Sequence, residues 1–93
     1  MSKKYKDMLS SITIRYIKDM VNSEKITHIN FIHWALHIEK LFYRNAIAIQ
    51  IIDNDPFIEL ELKKEKIRKV IGRFVEECNM VVDWAEKNDK QLK

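Results

Sequence analysis

Cysteine, glycine and proline each occur only once in this chain of 93 residues, and each scarcity excludes a class of structure. Because Cys78 is alone, the chain can form no internal disulfide. With so few turn-forming residues, a β-sandwich, a β-barrel or a loop-rich scaffold is excluded, and long elements joined by few turns are expected. A glycine-rich phosphate-binding loop is excluded for the same reason. Long apolar runs are lacking as well, since none approaches the roughly 18 residues that a membrane span needs.

The overall composition is that of a small globular domain. Hydrophobic residues make up 46% and charged residues 33% of the chain, with a net charge of +3. We expect one domain over residues 1–93, with frayed ends at 1–3 and 89–93. No apolar run of signal-peptide length follows the basic start, so we expect the protein in the cytoplasm. Frequent isoleucine, lysine and asparagine are typical of AT-rich genes such as those of phages, plasmids and archaeal viruses, in which case the cytoplasm is that of the host.

Three segments have the periodicity of α-helices. Apolar residues recur at helical spacing over 3–21, 28–44 and 65–88. Ser2 is placed to cap the first helix, because its hydroxyl can accept a hydrogen bond from an unpaired backbone N–H. Gly72 interrupts the third helix, where we expect it to permit a close crossing with another helix.

The helix predicted at 28–44 is apolar on two sides. One broad face carries large side chains of the kind that fill cores: Phe31, Trp34, Ile38, Leu41 and Phe42. Ile29, Leu36 and Tyr43 form a second apolar face roughly opposite the first. A helix that is apolar on two sides is buried on two sides, which indicates a central helix, a homodimer interface or both. We predict the interface at these three residues together with the aromatic Trp34.

The stretch NAIAIQIIDNDPFIELELKK, residues 45–64, allows two interpretations. Apolar residues alternate with others in 46–52 and in 58–63, and period 2 on both sides of a polar turn predicts a β-hairpin. The expected fold class is then α+β and mostly helical, in the order helix, helix, β-hairpin, helix. The alternative is a joint between helices, because Asp55 as N-cap with Pro56 after it is a suitable helix start. That alternative gives an all-α, three-helix antiparallel bundle.

Basic residues on two segments favour an alternative function, the binding of DNA or RNA. His33, His37, Lys40 and Arg44 follow one side of the second helix, a geometry that can track phosphates. A denser basic run occupies 63–73 and contributes Lys63, Lys64, Lys66, Arg68, Lys69 and Arg73. Solvation of a helix surface explains both sets about as well, so nucleic acid is the alternative partner rather than the first.

Catalysis and metal binding have little support in the sequence. His33 and His37 are spaced i, i+4 and can face one metal ion, but zinc needs at least a third protein ligand, so they are weak metal candidates. Cys78 lies in an apolar stripe next to Glu76 and Glu77, and burial and negative neighbours raise the pKa of a thiol. We expect no enzymatic activity, no cofactor and no small-molecule substrate.

The sequence therefore predicts a small, non-enzymatic interaction or regulatory protein that acts by binding a partner. We expect a homodimer that also binds an unidentified protein and makes no membrane contact. A DNA- or RNA-binding regulator that uses the basic residues is the alternative.

Overall fold

The computed structural model describes residues 2–89, which form three α-helices and no strand. They are α1 (Lys3–Asn22), α2 (His28–Asp53) and α3 (Leu60–Asn88). Successive helices run in opposite directions, since hydrogen bonds join Ser2 to Asp53 and Thr27 to Asp89. Helix α2 packs against both neighbours more extensively than they pack against each other. The bundle is elongated, with principal extents of 49 × 19 × 15 Å. None of the described helices is both long enough and apolar enough to cross a membrane.

The first helix begins where the sequence predicted. Ser2 is its N-cap, and the Ser2 hydroxyl accepts a hydrogen bond from the backbone N–H of Tyr5 at 3.5 Å. The helix buries three side chains: Leu9, Tyr16 and Met20. The hydroxyl of Tyr16 donates to Oδ1 of Asn79 at 2.6 Å. This bond ties the middle of α1 to α3.

The predicted β-hairpin is wrong, because α2 continues without interruption through 46–52 to Asp53. The alternation of isoleucines reflects two faces of a helix. Ile49 is fully buried, whereas Ile47 and Ile51 lie one turn apart on the solvent side. Residues four apart share a face in a helix and also in a strand. The pair Ile47 and Ile51 therefore fits both periods, and it does not discriminate between them.

A short connection follows α2. The carboxylate of Asp55 accepts a hydrogen bond from the backbone N–H of Phe57 at 2.9 Å, which closes a turn. The N-cap of α3 is Glu59, whose side chain accepts from the backbone N–H of Glu61 at 3.2 Å. The helix start expected at Asp55 and Pro56 is therefore wrong in position. The alternative architecture, an all-α bundle of three helices, is the one observed.

A single apolar core runs along the bundle between the helices. Its fully buried members include Trp34, Ile38 and Ile49 from α2 and Ile67, Phe74 and Cys78 from α3. Gly72 lies outside this core. It is exposed, and a Cβ atom at this position would meet no atom within 4 Å. The close helix crossing predicted at Gly72 is therefore wrong.

A buried carboxylate fastens the end of α3 to the start of α2. Asp89 accepts hydrogen bonds from the backbone N–H of Thr27 at 2.9 Å and from the indole N–H of Trp34 at 3.1 Å. The side-chain amide of Asn30 donates to the backbone carbonyl of Asp89 at 3.0 Å. Asp89 is 1% exposed although it lies in a segment predicted to fray. The rest of the predicted frayed ends, apart from residues 2 and 3, lies outside the described residues.

Candidate interaction surface

The side of α2 that faces away from α1 and α3 carries an apolar stripe. We call this stripe the outer face, and it consists of six exposed side chains: Ile29, Ile32, Leu36, Tyr43, Ile47 and Ile51. They recur at intervals of three, four and seven residues, so they fall within about 100° of one another round the helix. Their exposed fractions range from 50% for Leu36 to 90% for Ile29. The stripe is about 33 Å long at the rise of an α-helix.

Three of the four residues predicted as the interface lie on the outer face. Ile29, Leu36 and Tyr43 are exposed in one row. Trp34 does not lie with them, because it is 1% exposed and its indole points into the bundle toward Asp89. Its placement in the interface is wrong, since α3 already covers it and no partner can contact it.

The sequence patterns do not predict half of the outer face. The alternation of apolar residues predicts Ile47 and Ile51 in a β-hairpin, and Ile32 belongs to neither of the two apolar faces predicted for the helix at 28–44. A signal for them was present in the phase of the helix. Eighteen residues make five turns, so Ile47 lies at the same angle as Ile29 if the helix continues. The predicted β-hairpin ends the helix at residue 44, so it leaves Ile47 and Ile51 out of the helix face.

The α1 side of the outer face opens into a groove of about 380 Å³. Ser10, Thr13, Ile14 and Ile17 of α1 line it together with Glu39, Phe42 and Tyr43 of α2. Ile14 is exposed, and so is Val21, which lies seven residues further along α1 and hence on the same side. The apolar surface is therefore wider than α2 alone.

Charged side chains interrupt the outer face at defined places. Lys40 lies near its centre and forms no ion pair with any residue in 2–89. Glu39 lies on the α1 side. Arg44 lies on the α3 side, where it forms an ion pair with Glu77. A partner that covers the outer face must therefore accommodate one cation at its centre.

The two histidines that were weak metal candidates lie beside two tryptophans. The rings of His33 and His37 are 5.1 Å apart, His37 stacks on Trp34 at 5.8 Å, and Trp84 meets Trp34 edge-on at 5.1 Å. Burial, and then the neighbouring His33 and Lys40, lower the pKa of His37. Within residues 2–89, no third histidine, cysteine or carboxylate joins the pair to complete a metal site. The arrangement is that of an aromatic cluster packed between α2 and α3.

The basic residues predicted as the alternative nucleic-acid surface do not share one surface. Lys64 and Arg68 line the groove between α1 and α3, together with Lys4. Arg73 lines the groove between α2 and α3, together with Arg44. On α3, Lys66 and Lys69 lie on the side of Arg73. The predicted set is thus split between two sides of the bundle.

Several of these basic side chains are engaged within the chain. Ion pairs join Arg44 to Glu77, Lys64 to Glu61 and Lys69 to Glu65. The ammonium of Lys63 donates to the backbone carbonyl of Asp53 at 2.9 Å. These contacts reduce the positive charge that can act on phosphates.

Cys78, the single thiol, is not an activated nucleophile. Burial, with a smaller contribution from Glu77, raises the pKa of the Cys78 thiol to about 12. The thiol therefore stays protonated at neutral pH.

The outer face is the longest row of exposed apolar side chains among the described residues. Comparisons of the chain with protein-family models, with curated proteins and with solved structures find no match.

Proposed function

We propose that the protein is a small, non-enzymatic interaction module that forms a homodimer through the outer face of α2. The observation that carries the proposal is the size of this uncovered stripe. From the exposed fractions of its six side chains, the stripe exposes on the order of 700 Å², more than the roughly 300–600 Å² of the largest patch on a typical monomer. Ile14 and Val21 beside it bring the surface close to the roughly 800 Å² that each partner buries in a standard interface.

A second copy of the chain is the occupant that suits this surface. The outer face runs along a single helix. Its apolar residues recur at spacings of three, four and seven residues, which allow the side chains of two paired helices to interlock. A symmetric pair of such faces buries the same apolar surface on both subunits. A partner of unrelated shape would need a complementary groove, whereas a second copy supplies the matching helix.

We propose further that the dimer acts as a regulator by binding another protein in the cytoplasm. The connection between α2 and α3 exposes Phe57, at 94%, and the start of α3 exposes Leu60, at 61%. Large apolar side chains exposed together are typical of protein contacts. The single thiol of Cys78 is unpaired and buried, which suits a reducing compartment.

The dimer is tested by analytical ultracentrifugation of the wild type and of an Ile32→Glu, Ile51→Glu double variant. We expect a wild-type dimer at a protomer concentration of about 100 µM and a monomeric double variant, because two carboxylates buried in the interface lack partners. The dissociation constant should rise at least about 100-fold, which corresponds to roughly 3 kcal/mol. Circular dichroism of the variant checks that the helices remain.

Met8→Glu is the matched control. Met8 is an exposed apolar residue, but it lines the groove between α1 and α3 and not the outer face. This variant should remain a dimer. A wild type that is monomeric at about 100 µM, or a Met8→Glu variant that dissociates as fully as the double variant, would contradict the proposal.

A further inference from the structure

We infer that the two copies pair in antiparallel orientation and that Lys40 sets this orientation, an inference that rests on the proposed dimer. Lys40 lies near the centre of an otherwise apolar face and forms no ion pair within residues 2–89. A partner that covers the outer face must therefore place a group opposite the ammonium of Lys40 that does not repel it. The parallel and the antiparallel way of pairing α2 with itself place different groups at this position.

A parallel, in-register pair opposes each residue of the outer face to its own counterpart. Lys40 then meets Lys40 of the partner subunit in one layer at the centre of the interface. Two cations opposed in a dewatered layer repel each other strongly. In a parallel pair the α1 side of one copy meets the α3 side of the other, so Glu39 can offset part of this repulsion, but the two ammonium groups stay in the same layer.

An antiparallel pair removes this opposition. Leu36, Lys40, Tyr43 and Ile47 are spaced by four, three and four residues, so their pattern is symmetric about its own midpoint. In the antiparallel pair, Leu36 faces Ile47 of the partner subunit, and Lys40 faces Tyr43 of the partner subunit. The methylene stem of the lysine can pack on the tyrosine ring, and its ammonium group can contact the ring face. Each layer then contains one cation instead of two.

The charge at the edge of the outer face favours the same arrangement. Lys40 leans toward the α3 side of α2, which is also the side on which Glu77 pairs with Arg44. In an antiparallel pair the α3 sides of both copies lie along the same edge of the interface. Lys40 then comes level with Glu77 of the partner subunit, whose carboxylate can receive its ammonium group.

Disulfide trapping tests the orientation. Leu36→Cys and Ile47→Cys are made singly and together in the otherwise wild-type chain, where the buried Cys78 thiol is inert, and are oxidised with diamide. We expect the double variant, and an equimolar mixture of the single variants, to form at least ten times more disulfide dimer than either single variant alone. In the antiparallel pair, identical positions lie about 16 Å apart along the axis, beyond the roughly 7 Å between Cα atoms that a disulfide spans.

The other outcomes each overturn a different statement. Single variants that cross-link to themselves indicate the parallel pair and refute the inference while the dimer stands. A wild type that sediments as a dimer while no variant cross-links refutes the register that places Leu36 against Ile47 of the partner subunit. A monomeric wild type refutes the proposed dimer and the inference together.

The role of Lys40 is tested by Lys40→Leu, with Lys4→Leu in the groove between α1 and α3 as the control. We expect Lys40→Leu to lower the dissociation constant of the dimer at least tenfold, because it completes the apolar stripe. We also expect it to relax the orientation, so that the single cysteine variants begin to cross-link to themselves. A variant that weakens the dimer, or that keeps the antiparallel pattern of cross-links unchanged, refutes the assignment to Lys40.

Discussion

Asp89 supplies the cap that α2 lacks in its own sequence. Thr27 is the N-cap residue of α2, but its hydroxyl is buried and makes no hydrogen bond within normal geometry. The carboxylate of Asp89 accepts from the backbone N–H of Thr27 instead. Burial alone would raise the pKa of Asp89, but the hydrogen bonds from Thr27 and from the Trp34 indole outweigh it, so the pKa lies below its usual value. The ionised carboxylate therefore stabilises the fold.

Removing this carboxylate should destabilise the protein. We expect Asp89→Ala to lower the free energy of unfolding at pH 7 by about 1–3 kcal/mol, because it leaves the indole N–H of Trp34 and the backbone N–H of Thr27 without their acceptor. Urea denaturation followed by circular dichroism measures the change. Asp89→Asn is the matched control, since its amide oxygen keeps one acceptor, and it should lose less.

The dependence of the unfolding free energy on pH distinguishes the contribution of the Asp89 charge from that of a neutral side chain of the same shape. Because the pKa is lower in the folded state than in the unfolded chain, the stabilisation by the carboxylate is complete above the unfolded pKa of about 4. It is lost as the pH falls through the folded-state pKa. The stability difference between the wild type and Asp89→Asn should therefore be constant from about pH 7 to about pH 5 and shrink below about pH 4. A constant difference at all pH values would show that the charge does not contribute.

At the scale of the element, α2 is where sequence and structure differ most. Its segment 46–52 has apolar side chains on both the core face and the outer face, with Ala46 and Ala48 between them. A helix that is apolar on two faces can match a period of 2 over seven residues by chance. The helical period of 3.6 residues is recognisable only over the whole helix. Over that length, Ile49 continues the buried row of Trp34 and Ile38.

The third helix carries a residue that weakens it. Gly72 lies in the middle of α3, exposed and with open space around its Cα. We expect Gly72→Ala to raise the free energy of unfolding by about 1 kcal/mol, because alanine loses less backbone entropy in a helix. Urea denaturation measures the change. Arg73→Ala, also exposed on α3, should change it by less than about 0.5 kcal/mol. A less stable Gly72→Ala variant would mean that position 72 requires glycine for a contact not made within residues 2–89.

At the scale of the whole molecule, the net charge is only +3, and the basic residues are split between two sides of the bundle. The proposed interaction module therefore predicts weak binding of nucleic acid with a shallow response to salt. We expect labelled duplex DNA and single-stranded RNA to bind weakly, with a log–log slope no steeper than about −2, since few phosphates can be neutralised at once. Titrations at about 50 and 200 mM salt measure it. A slope of about −4 or steeper, reduced by Lys66→Glu with Arg73→Glu, would favour nucleic-acid binding over the proposed interaction module.

The sequence by itself determined that the chain is mostly helical, that α1 starts after Ser2, and that Ile29, Leu36 and Tyr43 share one face of α2. These features depend on composition, on a local cap and on helical phase, all of which lie within short stretches of chain. The tertiary structure alone decided which apolar face of α2 stays uncovered. Both faces are apolar, and only the packing of α1 and α3 against Trp34 and Ile38 leaves the outer face to solvent. It also decided that 46–52 is helix, since the burial of Ile49 in the core selects one of two periods that the local pattern satisfies equally.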